Sequence, residues 1–166
     1  DRIASKSRIS EGVILGLGSL LNGKLQTHEK SHQDSLIHQV APEKGHLGEA
    51  SGRGVKAFPF HIENAFQETP PDFLVLLCLE GDPNSSTAFI YAEDILRELD
   101  KETRALLREP IYTFHSGSDF EEPETYQGAV ITIENKGRDR QVRVRFYEQE
   151  HRITTEDPNG QDALKK

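Results

Sequence analysis

Phe60-His61-Ile62-Glu63-Asn64-Ala65-Phe66 sets an imidazole and a carboxylate two residues apart at the end of an apolar run. On an extended strand alternate side chains share a face, so His61 and Glu63 point one way while Phe60 and Ile62 point the other. Two such donors are half of a metal site. A triad of two histidines and one carboxylate suits Fe(II) and leaves coordination positions open for a co-substrate and O₂. The tripeptide by itself has a plain alternative, a solvated polar pair on a half-wet strand. Its flanks narrow the choice.

Upstream, residues 55–60 lead into the motif as a strand, and Leu36-Ile37-His38-Gln39-Val40 reads as a shorter one. Between them, residues 43–53 turn to Gly, Glu, Ser and Lys with no apolar period, which predicts a mobile loop. Downstream, Thr69-Pro70-Pro71-Asp72 is a rigid turn. Phe73-Leu74-Val75-Leu76-Leu77-Cys78-Leu79 shows no polar alternation, so it is expected to be covered on both faces, as an inner strand of a two-sheet sandwich is. Another turn, Gly81-Asp82-Pro83-Asn84-Ser85-Ser86, precedes Thr87, which opens the next strand. Within the motif Asn64 reads either as a group orienting the carboxylate or as a turn residue, and Phe66 either as a pocket wall or as a core aromatic.

The run from His61 to Phe66, then Pro71-Asp72-Phe73 and the apolar strand ending near Cys78, closely resembles the iron-binding region of the clavaminate synthase-like branch of the taurine dioxygenase superfamily. These are Fe(II)- and 2-oxoglutarate-dependent oxygenases. The resemblance extends upstream through Ser35 to Pro42 and downstream through Ser86-Thr87-Ala88-Phe89 and Leu99-Asp100-Lys101-Glu102-Thr103. Ile62 stands where the branch usually has Thr, which leaves both ligand positions intact. The resemblance implies a mainly β fold with flanking helices, a double-stranded β-helix of jelly-roll type, here incomplete. It implies His61 and Glu63 as iron ligands and Thr87 as a hydrogen-bond donor to the 2-oxoglutarate carboxylate. His38 sits where relatives often carry a Gln that contacts an amino-acid substrate, and Asn64 joins it as a candidate substrate contact. A loop such as 43–53 often covers the active site in this family, excluding water during chemistry.

The rest of the chain reads as scaffold. Ile9, Val13, Leu17, Leu20 and Leu21 are spaced for one face of a helix that begins near Ser10 and ends at Asn22-Gly23. Gly16-Leu17-Gly18 is not a nucleotide loop, since Leu21 stands where its third glycine belongs and no strand precedes it; close helix packing explains these glycines. His28, His32 and His46 read as loop histidines. Ile95, Leu96 and Leu99 form one face of a helix, and Asp100 caps a second bearing Ala105, Leu106 and Leu107. Strands follow at 111–114, 130–133 and 142–146, the last two joined by a hairpin at Asn135-Lys136-Gly137-Arg138-Asp139 whose Gly permits positive φ. Val142, Val144 and Phe146 alternate with Arg143 and Arg145, which predicts one wet face. A polar turn from Thr154 leads to a helix at 161–165.

The 166 residues, 34% hydrophobic and 29% charged, suit one polar domain over 1–166. The longest apolar run is far too short to span a bilayer, and no charged segment followed by an apolar one opens the chain. Its start, Asp1-Arg2-Ile3-Ala4, lacks an initiator Met, as expected of part of a longer chain. A lone Cys78 excludes an intrachain disulfide and a cysteine-based zinc site; it reads as a small buried strand residue in a reducing cytoplasm. A net charge of −8 argues against nucleic acid as a partner. A small, amino-acid-like metabolite is the expected substrate, with no membrane partner.

The resembled family completes its iron site with a distal His and an Arg that pairs with 2-oxoglutarate, and neither segment is present. His115, in Phe114-His115-Ser116-Gly117, and His151, in Glu150-His151-Arg152, match no such neighbourhood. The chain is therefore expected to be part of a longer Fe(II)/2-oxoglutarate oxygenase domain, hydroxylating or desaturating its substrate with O₂. The alternative is a non-catalytic β-sandwich binding module that has lost the complete site. A hydrolase built on Glu121-Glu122 or on Glu148 and Glu150 is disfavoured, because these acids lie in charged, solvated stretches.

Overall fold

The computed structural model describes residues 8–25, 36–117, 120, 122–136 and 139–166. Among them run α1 (Ile9–Leu20), α2 (Ala92–Glu98), α3 (Lys101–Leu106), β1 (Tyr112–His115), β2 (Thr125–Gly128), β3 (Ile131–Lys136), β4 (Asp139–Val144), a 3-10 turn (Glu150–Arg152), β5 (Ile153–Thr154) and α4 (Pro158–Ala163). β1 is the middle strand of an antiparallel sheet ordered β2-β1-β5, and β3 and β4 form a separate hairpin. Small antiparallel sheets with helices are therefore the architecture, and no closed barrel forms among the described residues. A partial jelly roll is compatible with it.

The core gathers on β1. Tyr112 and Phe114 are fully buried from one face of that strand, opposite Gly128 and Tyr126 of β2, and Phe114 also faces Ile153 of β5. Ile131 and Ile133 of β3 pair with Val144 and Val142 of β4, so the hairpin presents four branched side chains to the same core. Leu96 of α2, Leu107 just beyond α3 and Ala163 of α4 close it. Each fully buried apolar side chain of this size stabilises by roughly 1.5–3 kcal/mol. The hairpin tip at Gly137 and Arg138 lies outside the described residues.

Helix ends follow local chemistry. Asp100 caps α3, accepting from the Thr103 backbone N–H at 2.7 Å and from its hydroxyl at 2.9 Å. Lys166 donates to both residues at 3.2 Å, which ties the chain beyond α4 to this cap. α4 begins three residues earlier than the apolar pattern predicts, because Asp157 accepts from Gly160 N–H at 2.7 Å and Pro158 occupies the first helical turn.

The bond from Thr103 N–H, first, then the Thr103 hydroxyl and Lys166, holds the Asp100 carboxyl far below its ordinary 3.8. A carboxylate held low when folded contributes stability above its unfolded pKa and loses it as pH falls from there through the folded value. Asp100→Ala is thus expected to lower the melting temperature at pH 7, with the gap to wild type narrowing once pH falls below 3.8. Melting curves of both proteins from pH 7 to pH ~2 check this; a gap that stays constant contradicts it.

Several predicted strands are absent. Residues 36–40, 55–60 and 73–79 form no ladder, and Thr87 opens no strand. Phe73, Leu74, Leu76 and Leu79 are exposed, and Cys78 is exposed with them rather than buried. An unalternating apolar run is a strand only when neighbours take up its backbone groups and cover both faces. Among the described residues no strand pairs with this one.

α1 forms as its spacing predicts, yet Ile9, Val13, Leu17 and Leu20 are exposed on it. Close packing holds at Gly18, where an added Cβ would lie 2.9 Å from Leu25, but not at Gly16, which faces open space. Residues 43–53 carry no regular element, as expected, and the loop closes on itself through Glu43 N–H to Arg53 C=O at 2.8 Å. Gly54 is needed there, since a Cβ would overlap the Glu49 carbonyl oxygen. His28 and His32 lie outside the described residues; His46 is in this loop, with Nδ1 2.7 Å from the Glu49 carboxylate.

Candidate metal centre

Among the described residues upstream of β1, the motif itself is the part that acquires a strand-like partner. His61 bridges Tyr147 in antiparallel sense, with Ile62 N–H donating to Phe146 C=O at 2.8 Å and Glu148 N–H to Phe60 C=O at 2.9 Å. Glu148 returns a third bond, its carboxylate accepting from Phe60 N–H at 2.9 Å. The backbone on both sides of His61 is therefore fixed.

His61 and Glu63 share a side, as alternation predicts: Nε2 of the one is 3.9 Å from Oε2 of the other. His61 Nδ1 lies 2.8 Å from the Pro59 carbonyl oxygen. A carbonyl only accepts, so Nδ1 donates, which in the neutral ring leaves the Nε2 lone pair on the side of the carboxylate. The ring is packed by Phe58, centroids 4.5 Å apart, and lies parallel to Tyr147 at 6.4 Å. An imidazole nitrogen beside a carboxylate oxygen, both partly open to solvent, is a donor set suited to a divalent first-row metal. Among the described residues no third His, Cys, Asp or Glu completes a metal-sized cluster with them.

After Glu63 the chain turns sharply. Asn64 takes φ 48°, a left-handed conformation that Asn tolerates better than most residues, and its carbonyl accepts from Gln67 N–H at 2.9 Å. Of the two roles its sequence context allows, the turn role is thus present. Phe66 is buried and meets Phe120 edge-on at 4.7 Å, which makes it a core aromatic.

Local sequence patterns do not reveal what holds this turn. The expected wet face of the last strand is not wet: Arg143 and Arg145 are both half-buried. Arg145 donates to the carbonyls of Ala65 at 2.9 Å, Glu68 at 2.6 Å and Gln67, and its guanidinium lies 4.1 Å from the Tyr126 ring centroid. Arg143 lies 3.5 Å from Asp72. Tyr147 OH accepts from Ala65 N–H at 2.9 Å; burial pushes this phenol up, against the pull of Arg152, whose guanidinium lies 4.0 Å from the Tyr147 ring centroid. The partners are about 80 residues apart in sequence, so no spacing rule reaches them. Val-Arg alternation alone reads as solvent exposure.

The remaining candidates stand apart from this geometry. His38 and Thr87 are both exposed on stretches outside any helix or strand. His115 Nε2 is 2.8 Å from the Thr154 hydroxyl across β1 and β5, and His151 is exposed on the 3-10 turn. Neither belongs to a metal-sized cluster among the described residues. A shallow cleft of about 300 Å³ lies between residues 146–150, β5 and α4, lined by Tyr147 but by neither His61 nor Glu63. It gathers no comparable donor pair, so the motif remains the centre of chemical interest.

One family's sequence model, described as "Taurine catabolism dioxygenase TauD, TfdA family", matches residues 8–166. The chain belongs to that family. The match agrees with the resemblance carried by the His61 motif. Two curated relatives of this taurine dioxygenase family member are an L-lysine 3-hydroxylase of Catenulispora acidiphila, 30% identical over 97 residues, and an L-asparagine oxygenase of Streptomyces coelicolor, 43% identical over 49. The first match covers 58% of this chain and 26% of the relative; the second covers 30% and 15%. The chain thus spans about a quarter or less of the relatives it matches. No solved structure matches this member of the family. No helix among its described residues is long and apolar enough to cross a membrane.

Proposed function

We propose that the chain is part of a non-haem Fe(II)/2-oxoglutarate-dependent oxygenase domain that hydroxylates or desaturates an amino acid or a related small metabolite. The observation that carries this reading is the juxtaposition of His61 Nε2 and Glu63 Oε2 at 3.9 Å, with Nδ1 held by Pro59, in a taurine dioxygenase family member. His61 and Glu63 would hold the iron, one as a neutral nitrogen donor and the other as an anion that offsets part of the metal's charge. Fe(II) with 2-oxoglutarate and O₂ supplies the oxidant for cleaving an unactivated C–H bond.

The roles assigned to the other residues belong to the same proposal. Thr87 would donate a hydrogen bond to the 2-oxoglutarate carboxylate, and His38 and Asn64 would contact polar groups of the substrate, an imidazole both donating and accepting. The third ligand and the cationic partner of 2-oxoglutarate would come from another segment of the enzyme. An amino-acid substrate is supported by the two relatives, whose names specify lysine and asparagine.

Anaerobic titration of the full-length enzyme, including the segment that supplies the third ligand, with Fe(II) and 2-oxoglutarate tests the reading. The expected result is a weak visible charge-transfer band that appears only when both are present and disappears on admitting O₂ with substrate. A featureless titration favours the second reading, a binding module of the same fold. That alternative draws on the two-donor set found among the described residues.

A further inference from the structure

The segment that follows β4 does more than extend the hairpin. Along residues 145–148 alternate side chains share a face, so Arg145 and Tyr147 emerge together toward the turn that follows Glu63. They grip one residue from both ends: Tyr147 OH takes the N–H of Ala65, and Arg145 donates to its C=O at 2.9 Å. The same guanidinium reaches the carbonyls of Gln67 and Glu68. Carbonyls in a turn that belongs to no helix or sheet need a donor when water is excluded, and one planar group with five N–H bonds serves three of them at once. Tyr126, whose ring centroid lies 4.1 Å from the guanidinium carbon, holds it in place.

We propose that Arg145 is a positioning residue for the His61–Glu63 pair: by fixing the carbonyls of residues 65, 67 and 68 it holds the left-handed turn at Asn64 that keeps Glu63 beside His61. Arg145 touches neither member of the pair. It acts through the backbone, and a lysine cannot replace it, because a single ammonium lacks the flat fork that spans three acceptors. The consequence for metal affinity rests on the iron reading above; the consequence for the turn does not.

The test uses the full-length enzyme, including the segment that supplies the third ligand, and three variants, Arg145→Ala, Arg145→Lys and Arg140→Met, the last removing a charge from an exposed position on β4. Two quantities are read: Mn(II) affinity from the free-ion electron paramagnetic resonance signal, and amide hydrogen exchange at Ala65 and Gln67 without metal. Arg145→Ala should weaken Mn(II) binding about 10–100-fold, the range for losing an outer contact to a metal site. Exchange at Ala65 and Gln67 should quicken at least about ten-fold while β1 stays protected. Arg145→Lys should recover little of either, guanidinium ion at low millimolar concentration should restore much of both in Arg145→Ala, and Arg140→Met should change neither.

Unchanged exchange and unchanged affinity in Arg145→Ala overturn the proposal. Acceleration spread equally over β1 and the turn in both Arg145 variants, without rescue by guanidinium, also overturns it, since the residue is then only a general support. If wild type binds no Mn(II) but the turn alone loosens, the iron reading fails and the positioning role stands. If wild type binds and Arg145→Ala binds equally well with a loosened turn, the positioning role fails and the iron reading stands.

Discussion

If the proposed iron reading holds, His61→Ala and Glu63→Ala in the full-length enzyme are each expected to reduce Fe(II)-dependent succinate release to background. Each removes one of two donors 3.9 Å apart, and losing a direct ligand should exceed the roughly 10–100-fold cost of losing an outer contact. Both side chains are partly open to water, at 28% and 42% of full exposure, so neither truncation leaves a void in the core. Stability should therefore stay within about 0.5 kcal/mol of wild type. The contrast is the informative part. A fall in turnover with an unchanged denaturation midpoint assigns these residues to chemistry, whereas full turnover in either variant refutes the ligand assignment. Glu63→Gln separates charge from size, because it keeps the volume and one carbonyl oxygen but gives up the anion. It should bind metal far more weakly than wild type.

The second large effect is on folding. Phe114→Ala should destabilise the chain by about 3–5 kcal/mol, the range for deleting a fully buried aromatic. Phe114 is 0% exposed at the centre of β1, opposite Tyr126 on one side and Ile153 on the other, so three strands meet at its ring. Few neighbours can relax into the space without breaking a ladder. The same truncation at Phe89, 75% exposed, should cost under about 0.5 kcal/mol. Urea unfolding of both variants gives the comparison, read as a shift in midpoint at constant slope. A loss below about 1 kcal/mol at Phe114 would show that β1 is not the middle of the core.

Strands and helices whose own neighbours complete them are legible residue by residue. The β3–β4 hairpin follows from two alternating runs about a turn, and its observed strands sit within a few residues of the expected ones. The Asp100 cap follows from a side chain that can reach an N–H three residues on. Both depend on contacts close in sequence. β2 and β5 are not legible in this way, because runs of four and two residues are too short to show a period. The Asp157-Pro158 signal for α4 is present but outweighed by the later apolar pattern. The apolar run from Phe73 to Leu79 fails in the other direction: hydrophobicity states what a segment needs, not whether a partner is there to meet the need.

By itself the amino-acid order determined the pair: two residues of spacing in extended chain put an imidazole and a carboxylate on one side, wherever that chain lies. It also determined the helix cap, the hairpin and the family likeness. Only the tertiary structure decided what keeps the pair together. Pro59 selects the tautomer, Glu148 and Phe146 fix the backbone on either side of His61, and Arg145 with Tyr147 grips the turn after Glu63. Apart from Pro59, these partners come from a segment about 80 residues downstream. Which donors satisfy a turn's carbonyls is settled only when the chain folds back, since hydrogen-bonding capacity is written in each residue but its partner is not.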